Sequence, residues 1–590
     1  MTGTGQAERV STGTLARVVF ALLVLATVGA FFVTQRLKRS EPLVQRIRLP
    51  LYISPNGDGR KDTAPFSFEL PKGDDVTVSI VNSNGDDVRR IVDSRQLAKG
   101  VHSYVWDGRA GDGEVAPDGF YFVRVILRNQ ARAATSQRGI DLVTARPRPR
   151  LLSVSPSRMA AGAAQPITIR FRGPASPPPV FSVYRTDGGR PRLVARFQGM
   201  RLSHVATFKR PLPSGTYAFA VTVQNHALVA GSSPRRLPPS ARGARPGTGV
   251  TVTGPVASAP LEPVPAGEVT RIQLSDVRGH VRWTLECVGS SKPLRSGLGS
   301  APSVRISVPS RAATGAYLVR LHSPAGDAVA PLVVRRGAVP GVLVVLPAIV
   351  WQGLNPVDDD ANGFPDTLDT SESIPLTRPL AGGRLPAGFA GGVAPLLTFL
   401  DSHHIRYDLT TDLALARGAG PGIAGRPGVL FAGSERWLPG ILQGQIKAYV
   451  QQGGNIAWFG TDSFRRAVQI GTSTLSRAGP PKKANAFGER TAATASAPAP
   501  LVVNSDTIGL FGGSDGFVGL FSRFEQSQAV PPGTRVLVGA GRDPRHPAVV
   551  AYRLGRGTVV RVGVPQWGAQ LQRDPEISKA TLALWSLLSR

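Results

Sequence analysis

One phrase occurs three times in this chain, and it limits the fold more than any other feature. It reads Gly119-Phe-Tyr121-Phe-Val-Arg-Val, then Gly215-Thr-Tyr217-Ala-Phe-Ala-Val, then Gly315-Ala-Tyr317-Leu-Val-Arg-Leu. Each glycine closes a turn, and the apolar residues after it alternate with period two, as in a half-buried strand. The glycines stand at 119, 215 and 315, so the phrase returns about every 100 residues. That spacing predicts β-sandwich modules in series. The phrase stops after residue 335, where the hydrophobic pattern changes.

The modules are expected at 44–144, 150–235 and 263–335, with a Pro-, Arg- and Gly-rich linker at 236–262. From 339 to 590 the pattern becomes α/β. Val342 to Leu346, Val429 to Ala432, Asn455 to Phe459 and Thr558 to Gly563 read as strands. Ala394 to Asp401, Gln443 to Gln452 and Ile577 to Leu588 read as helices between or after them. Strands alternating with helices predict a largely parallel sheet. The low-complexity stretch 477–500 is expected to be a mobile surface insertion.

At the N-terminus a short tail, 1–17, precedes an uncharged apolar run, 18–34, reading VVFALLVLATVGAFFVT. It is bracketed by Arg17 and by Arg36, Lys38 and Arg39. The run predicts a single transmembrane anchor; the alternative is a signal peptide cleaved after Val28-Gly-Ala30. Its basic C-terminal flank argues for a cytoplasmic body, yet long domains are exported largely regardless of flank charge. Sandwich modules and cation-type loops favour an extracytoplasmic body on the cell membrane. The net charge of +30 comes from scattered arginines. No run of five basic residues exists, which argues against a nucleic-acid arm. Anionic cell-wall polymers or a surface ligand are the partners this charge suits. The single cysteine, Cys287, makes no internal disulfide and no cysteine zinc cluster, and reads as a small buried hydrophobe.

Two loops have the spacing of hard-cation sites. Asp358-Asp-Asp360-Ala-Asn362-Gly363-Phe-Pro-Asp366-Thr-Leu-Asp369 alternates oxygen side chains and then turns at glycine, which suits Ca²⁺. The flanking EF-hand helices are missing, and Asp369 stands where a glutamate is usual. Ser54-Pro-Asn56-Gly-Asp58-Gly-Arg-Lys-Asp62 offers Asn56, Asp58 and Asp62 in the same manner. The first also reads as a solvated acidic turn, and the second as a polar turn whose Asn and Asp cap their own backbone. His403-His404, at a helix end, read as capping or surface residues. Ser434 lacks the Gly-x-Ser-x-Gly elbow of a hydrolase nucleophile.

Two resemblances add to this reading. The opening Ser54-Pro-Asn-Gly-Asp-Gly59 and the close Trp106-Asp-Gly108 to Pro117-Asp-Gly119-Phe-Tyr121 resemble the Ig-like domain of flagellar hook-capping proteins. That implies a structural or adhesive module. Val350-Trp-Gln-Gly-Leu-Asn355, Tyr407-Asp-Leu-Thr-Thr-Asp412, Gly433-Ser-Glu435-Arg-Trp437 and Tyr449-Val-Gln-Gln-Gly-Gly-Asn455 follow in order. The series resembles the C-terminal domain of the N,N-dimethylformamidase large (beta) subunit family, over about 265–590. The resemblance implies a glutamine-amidotransferase-like (flavodoxin-like) α/β fold. It also implies an amide hydrolase whose iron is held by tyrosines and a glutamate. On the matching motifs it points to Tyr407 and Glu435, with Glu525 a further carboxylate placed by its rough position alone. The family's tyrosine after Glu435 is Arg436 here, and no cysteine nucleophile lies in this domain.

The whole chain therefore predicts an N-terminal transmembrane helix, three Ig-like sandwiches in series and a C-terminal α/β domain. The expected function is a membrane-anchored bacterial surface protein with calcium-braced modules. Its last domain is expected to be structural or ligand-binding. The alternative is an extracytoplasmic, iron-dependent hydrolase of an amide C–N bond.

Overall fold

The computed structural model describes residues 12–38, 43–163, 165–540 and 545–590. It forms two compact units. One runs to Arg148 and takes in Pro174–Pro178 and Val223–Gly231; the other comprises Pro149–Gly173, Pro179–Thr222 and Ser232–Arg590.

In the first unit, helix Thr12–Lys38 contains a fully exposed apolar stretch, Ala16–Thr34, of 19 residues. At 1.5 Å per residue this spans about 28 Å, close to a bilayer's hydrocarbon thickness. A signal sequence has the same length and composition. The first module packs a sheet of Gln45–Arg48, Ala64–Leu70 and Gly100–Trp106 against a larger sheet. That sheet runs Tyr52–Ile53, Ile140–Leu142, Gly119–Leu127, Asp74–Asn82, Asp87–Leu97. Phe68, Val78, Ile80, Trp106 and Val123 fill the space between them. The Asn84-Gly85 turn joins a hairpin in which Val81 faces Asp87, and Gly85 supplies the left-handed φ of +88°.

The repeated phrase has one physical cause. Tyr121 donates its hydroxyl to the Pro117 carbonyl at 2.6 Å, Tyr217 to Pro213 at 2.7 Å and Tyr317 to Ala313 at 3.0 Å. Each ring is buried, and its hydroxyl ties the strand start to the corner four residues upstream, the tyrosine corner of Ig-type modules.

In the second unit, the second module pairs Arg150–Ser155, Ile167–Arg172 and Val205–Phe208 against a second sheet. That sheet contains Gly249–Thr253, inserted between Arg158–Ala160 and Gly215–Gln224. This strand lies inside the expected linker. Its Val250 and Val252 are buried at period two, and the local alternation outweighs the Pro- and Gly-rich surroundings. Val256–Ser258 already belongs to the third module, so the linker ends well before residue 262. That third module is one eight-stranded sheet, not two separate ones. Its first strand, Val256–Ser258, returns beside Gly326–Arg335, so the sheet curls around Trp283, Leu285 and Val319.

The last domain is strand-rich. Its main sheet comprises β1 (Leu343–Leu346), β2 (Asp408–Thr411), β3 (Gly428–Phe431) and β4 (Asn455–Phe459). It continues with β5 (Ala499–Asp506), β6 (Phe517–Phe521), β7 (Thr534–Ala540), β8 (Pro547–Leu554) and β9 (Gly557–Val562). The order is β2-β1-β3-β4-β9-β8-β7-β5-β6, with β2, β1, β3, β4 and β9 parallel and the rest antiparallel. Starting at the centre and winding both ways puts a switch point beside β1, where crevices form at the strands' carboxyl ends. Helix Gly440–Gln451 buries Leu442, Ile446 and Val450 on one face, and Gly453, at φ +123°, follows it.

The stretch 477–500 is not a free surface loop. Phe487 packs on Trp458 and Phe464, with ring centroids 5.6 and 5.1 Å away. Glu489 is fully buried against the Arg561 guanidinium at 2.8 Å.

Candidate functional site

The carboxyl ends of β1, β2, β3 and β4 lead into Ala348–Gly353, Asp412–Arg417, Ala432–Trp437 and Gly460–Phe464. Acidic residues gather here. Asp412 begins its helix, which Thr411 caps by accepting from the Ala414 amide at 3.1 Å. The Asp412 carboxylate takes the Ile349 amide at 3.0 and 3.1 Å and the Leu413 amide at 2.7 Å. Glu435 is fully buried beside it, and no protein donor faces either of its oxygens. Desolvation raises Asp412 to about 7 even against the amides that favour its charge. Glu435 is pushed well above the carboxylate range, first by burial and then by the Asp412 charge. Burial and the neighbouring like charge thus both oppose ionisation of this pair.

Next to this pair, the Arg436 guanidinium lies between Asp369, at 2.7 Å, and Asp462, at 3.0 Å, and over the Trp437 ring. Asp462 also meets Arg466 at 2.8 Å. The Glu435 amide donates to the Ser463 hydroxyl, and the Asp462 amide donates to Glu525 at 3.0 Å. Glu435 and Glu525 thus flank one loop. Burial raises Glu525, while the Arg561 charge opposes that.

Tyr407 is elsewhere. It precedes β2, whereas Asp412 follows it, and five residues of extended chain span about 16 Å. Its hydroxyl donates to Asp401 at 3.0 Å. Burial, then the Asp401 charge, raises its pKa, which opposes phenolate formation. Cys287 is half-buried near Tyr317 and Tyr407, its thiol pushed up by burial. His403 lies over Phe399 and bonds that residue's carbonyl at the helix end, and His404 takes the left-handed φ of +56° that closes the helix.

The two acidic loops separate. Oxygens of Asp358, Asp360 and Asp366 lie within 4.8 Å of one another. Asp358 accepts the Asn362 and Gly363 amides, and Asn362 accepts the Phe364 amide. Asp369 does not join them, because Arg436 holds it. In the first loop Asp62 turns inward and accepts the amides of Asn56, Gly57 and Gly59 at 2.7 to 3.0 Å. Asn56 and Asp58 each accept the amide two residues on, the geometry of a self-capped turn.

Residues 299–511 match the family described as N,N-dimethylformamidase beta subunit-like, C-terminal. Residues 56–130 match the FlgD Ig-like domain. The basal-body rod modification protein FlgD of Escherichia coli is 42% identical over 76 residues, 13% of this chain and 32% of that protein. Its Salmonella typhimurium counterpart is 34% identical over the same length. The chain spans about a third of the length of these curated relatives. Among solved structures, FlgD from P. aeruginosa is 26% identical over 16% of this chain and 73% of that one, at a TM-score of 0.13.

The iron that the dimethylformamidase resemblance implies does not fit these residues. Its tyrosine after Glu435 is a guanidinium paired with two aspartates, Tyr407 is bonded to Asp401 at the other end of β2, and burial opposes ionisation of Glu435. Sequence reasoning left Asp412 and Asp462 without a role. Asp412 stood in a quoted motif, directly after a strand and before a helix, and that position is the signal that would have found it.

Proposed function

We propose that this chain is a membrane-anchored, extracytoplasmic multidomain protein of the bacterial surface. Its last domain, on an amidotransferase-like (flavodoxin-like) framework, holds structure and ligand and does not cleave amides. The observation that carries this is Arg436: a fixed cation clamped by Asp369 and Asp462 occupies the place of a metal-binding phenolate. A guanidinium repels a metal cation and donates where a ligand must accept. The test is release of dimethylamine from N,N-dimethylformamide by the full chain supplied with ferrous iron. No release above the uncatalysed rate is expected; turnover that Glu435→Gln abolishes would overturn the reading.

Calcium is proposed at Asp358, Asp360 and Asp366. Oxygens each about 2.4 Å from one Ca²⁺ must lie within about 4.8 Å of one another, and these three do. The loop is also a strut. The Asp360 and Ala361 carbonyls take the Gly247 and Gly249 amides at 3.1 and 2.8 Å, and the Gly363 carbonyl takes the Thr186 hydroxyl at 2.6 Å. An ion there braces the second module against the last domain.

A further inference from the structure

A cleft of about 360 Å³ lies between the second module and the last domain, both within the second compact unit. That volume is in the range of small-molecule sites. Two polar groups in its lining have no partner. Trp351 is 3% exposed and its indole N–H meets no acceptor; the Thr251 hydroxyl oxygen is likewise buried and unpaired. Buried polar groups in folded proteins are nearly always paired, so two orphans in one cleft point to a partner that enters it.

The charges around them have a sign. Arg158 and Arg384 line the cleft, are exposed, and make no ion pair or hydrogen bond among the described residues. Asp187 is held by Arg185 in a two-point bond at 2.6 and 2.9 Å, so its oxygens are already occupied. Asp276 is the one unpaired acid in the lining. The groups awaiting a partner are therefore mostly donors: two guanidiniums, an indole N–H and a hydroxyl. Leu354, Val357, Pro379 and Leu380 supply apolar surface beside them.

We infer that this cleft binds a small ligand carrying a carboxylate or phosphate on an apolar body. Arg158 and Arg384 take the anion, Trp351 and Thr251 donate to its oxygens, and the leucines and valine cover the apolar part. Charge-assisted bonds from guanidinium to an oxyanion are the strongest such contacts available. The inference deepens the ligand-binding reading of the last domain and rests on it.

The test is calorimetric titration of the full chain in detergent micelles with benzoate, with phenyl phosphate and with neutral benzyl alcohol. Saturable binding of at least one anion is expected, at least about tenfold tighter than the alcohol. Preference for benzoate identifies a carboxylate ligand, and preference for phenyl phosphate a phosphate ligand. Arg158→Ala and Arg384→Ala, both at exposed positions, are each expected to weaken it about tenfold, and Trp351→Phe about threefold. If neither anion saturates, or if both arginine variants bind like the parent, the cleft assignment is wrong. The non-catalytic reading stands or falls separately, on amide turnover.

Discussion

Glu435 is fully buried beside Asp412 with no protein donor at either oxygen, and burial favours the neutral form of its carboxyl. The consequence is a pH dependence of known sign. Both groups are held above their ordinary values in the fold, so the unfolded chain binds fewer protons than the native one near neutrality. Their contribution to stability is then complete at low pH and declines as pH rises from the ordinary carboxylate range through about 7. Glu435→Gln places a permanent donor against Asp412. It should flatten that alkaline decline and recover roughly 1–3 kcal/mol at pH 8, read by chemical denaturation of the last domain's transition. A steeper decline in the variant would contradict the raised position of this pair. Asp408 works in the opposite sense: burial alone would raise it, but the hydrogen bonds from Arg335 and Arg426 hold it below its usual range. Its share of stability disappears on acidification.

Among elements, the segment 477–500 shows where composition misleads. Its Ala- and Pro-rich letters read as a solvated loop, yet Phe487 and Glu489 within it are buried. Glu489 is legible only once β9 brings Arg561 to it, 72 positions away in sequence. Breaking a fully buried pair leaves the other charge uncompensated. Arg561→Met should therefore destabilise the last domain by about 3–5 kcal/mol in denaturant titration, whereas a free loop would register almost nothing. Strand Gly249–Thr253 was hidden in the same way, by the glycines and prolines around it. Strand phrases with strict alternation and a tyrosine corner were readable directly, because local sterics and one hydrogen bond fix them. The pairing of Arg436 with Asp369 depends on how the folded domain brings two distant loops together. No spacing rule gives that.

At the scale of the molecule, three tyrosine-corner modules precede a last domain that holds the buried acidic pair. Within the second unit, the acidic loop of the last domain seats three backbone carbonyls on the second module, and a cleft opens between the same two bodies. A family resemblance that implies iron thus meets a chain whose donors have been turned to ion pairs and structural hydrogen bonds. Elemental analysis of the full chain, purified in detergent and equilibrated with calcium, tests this most directly. The account predicts about one calcium per chain, lost in Asp358→Asn, and iron only at trace level. Iron near one per chain that disappears in Glu435→Gln or Tyr407→Phe would contradict it.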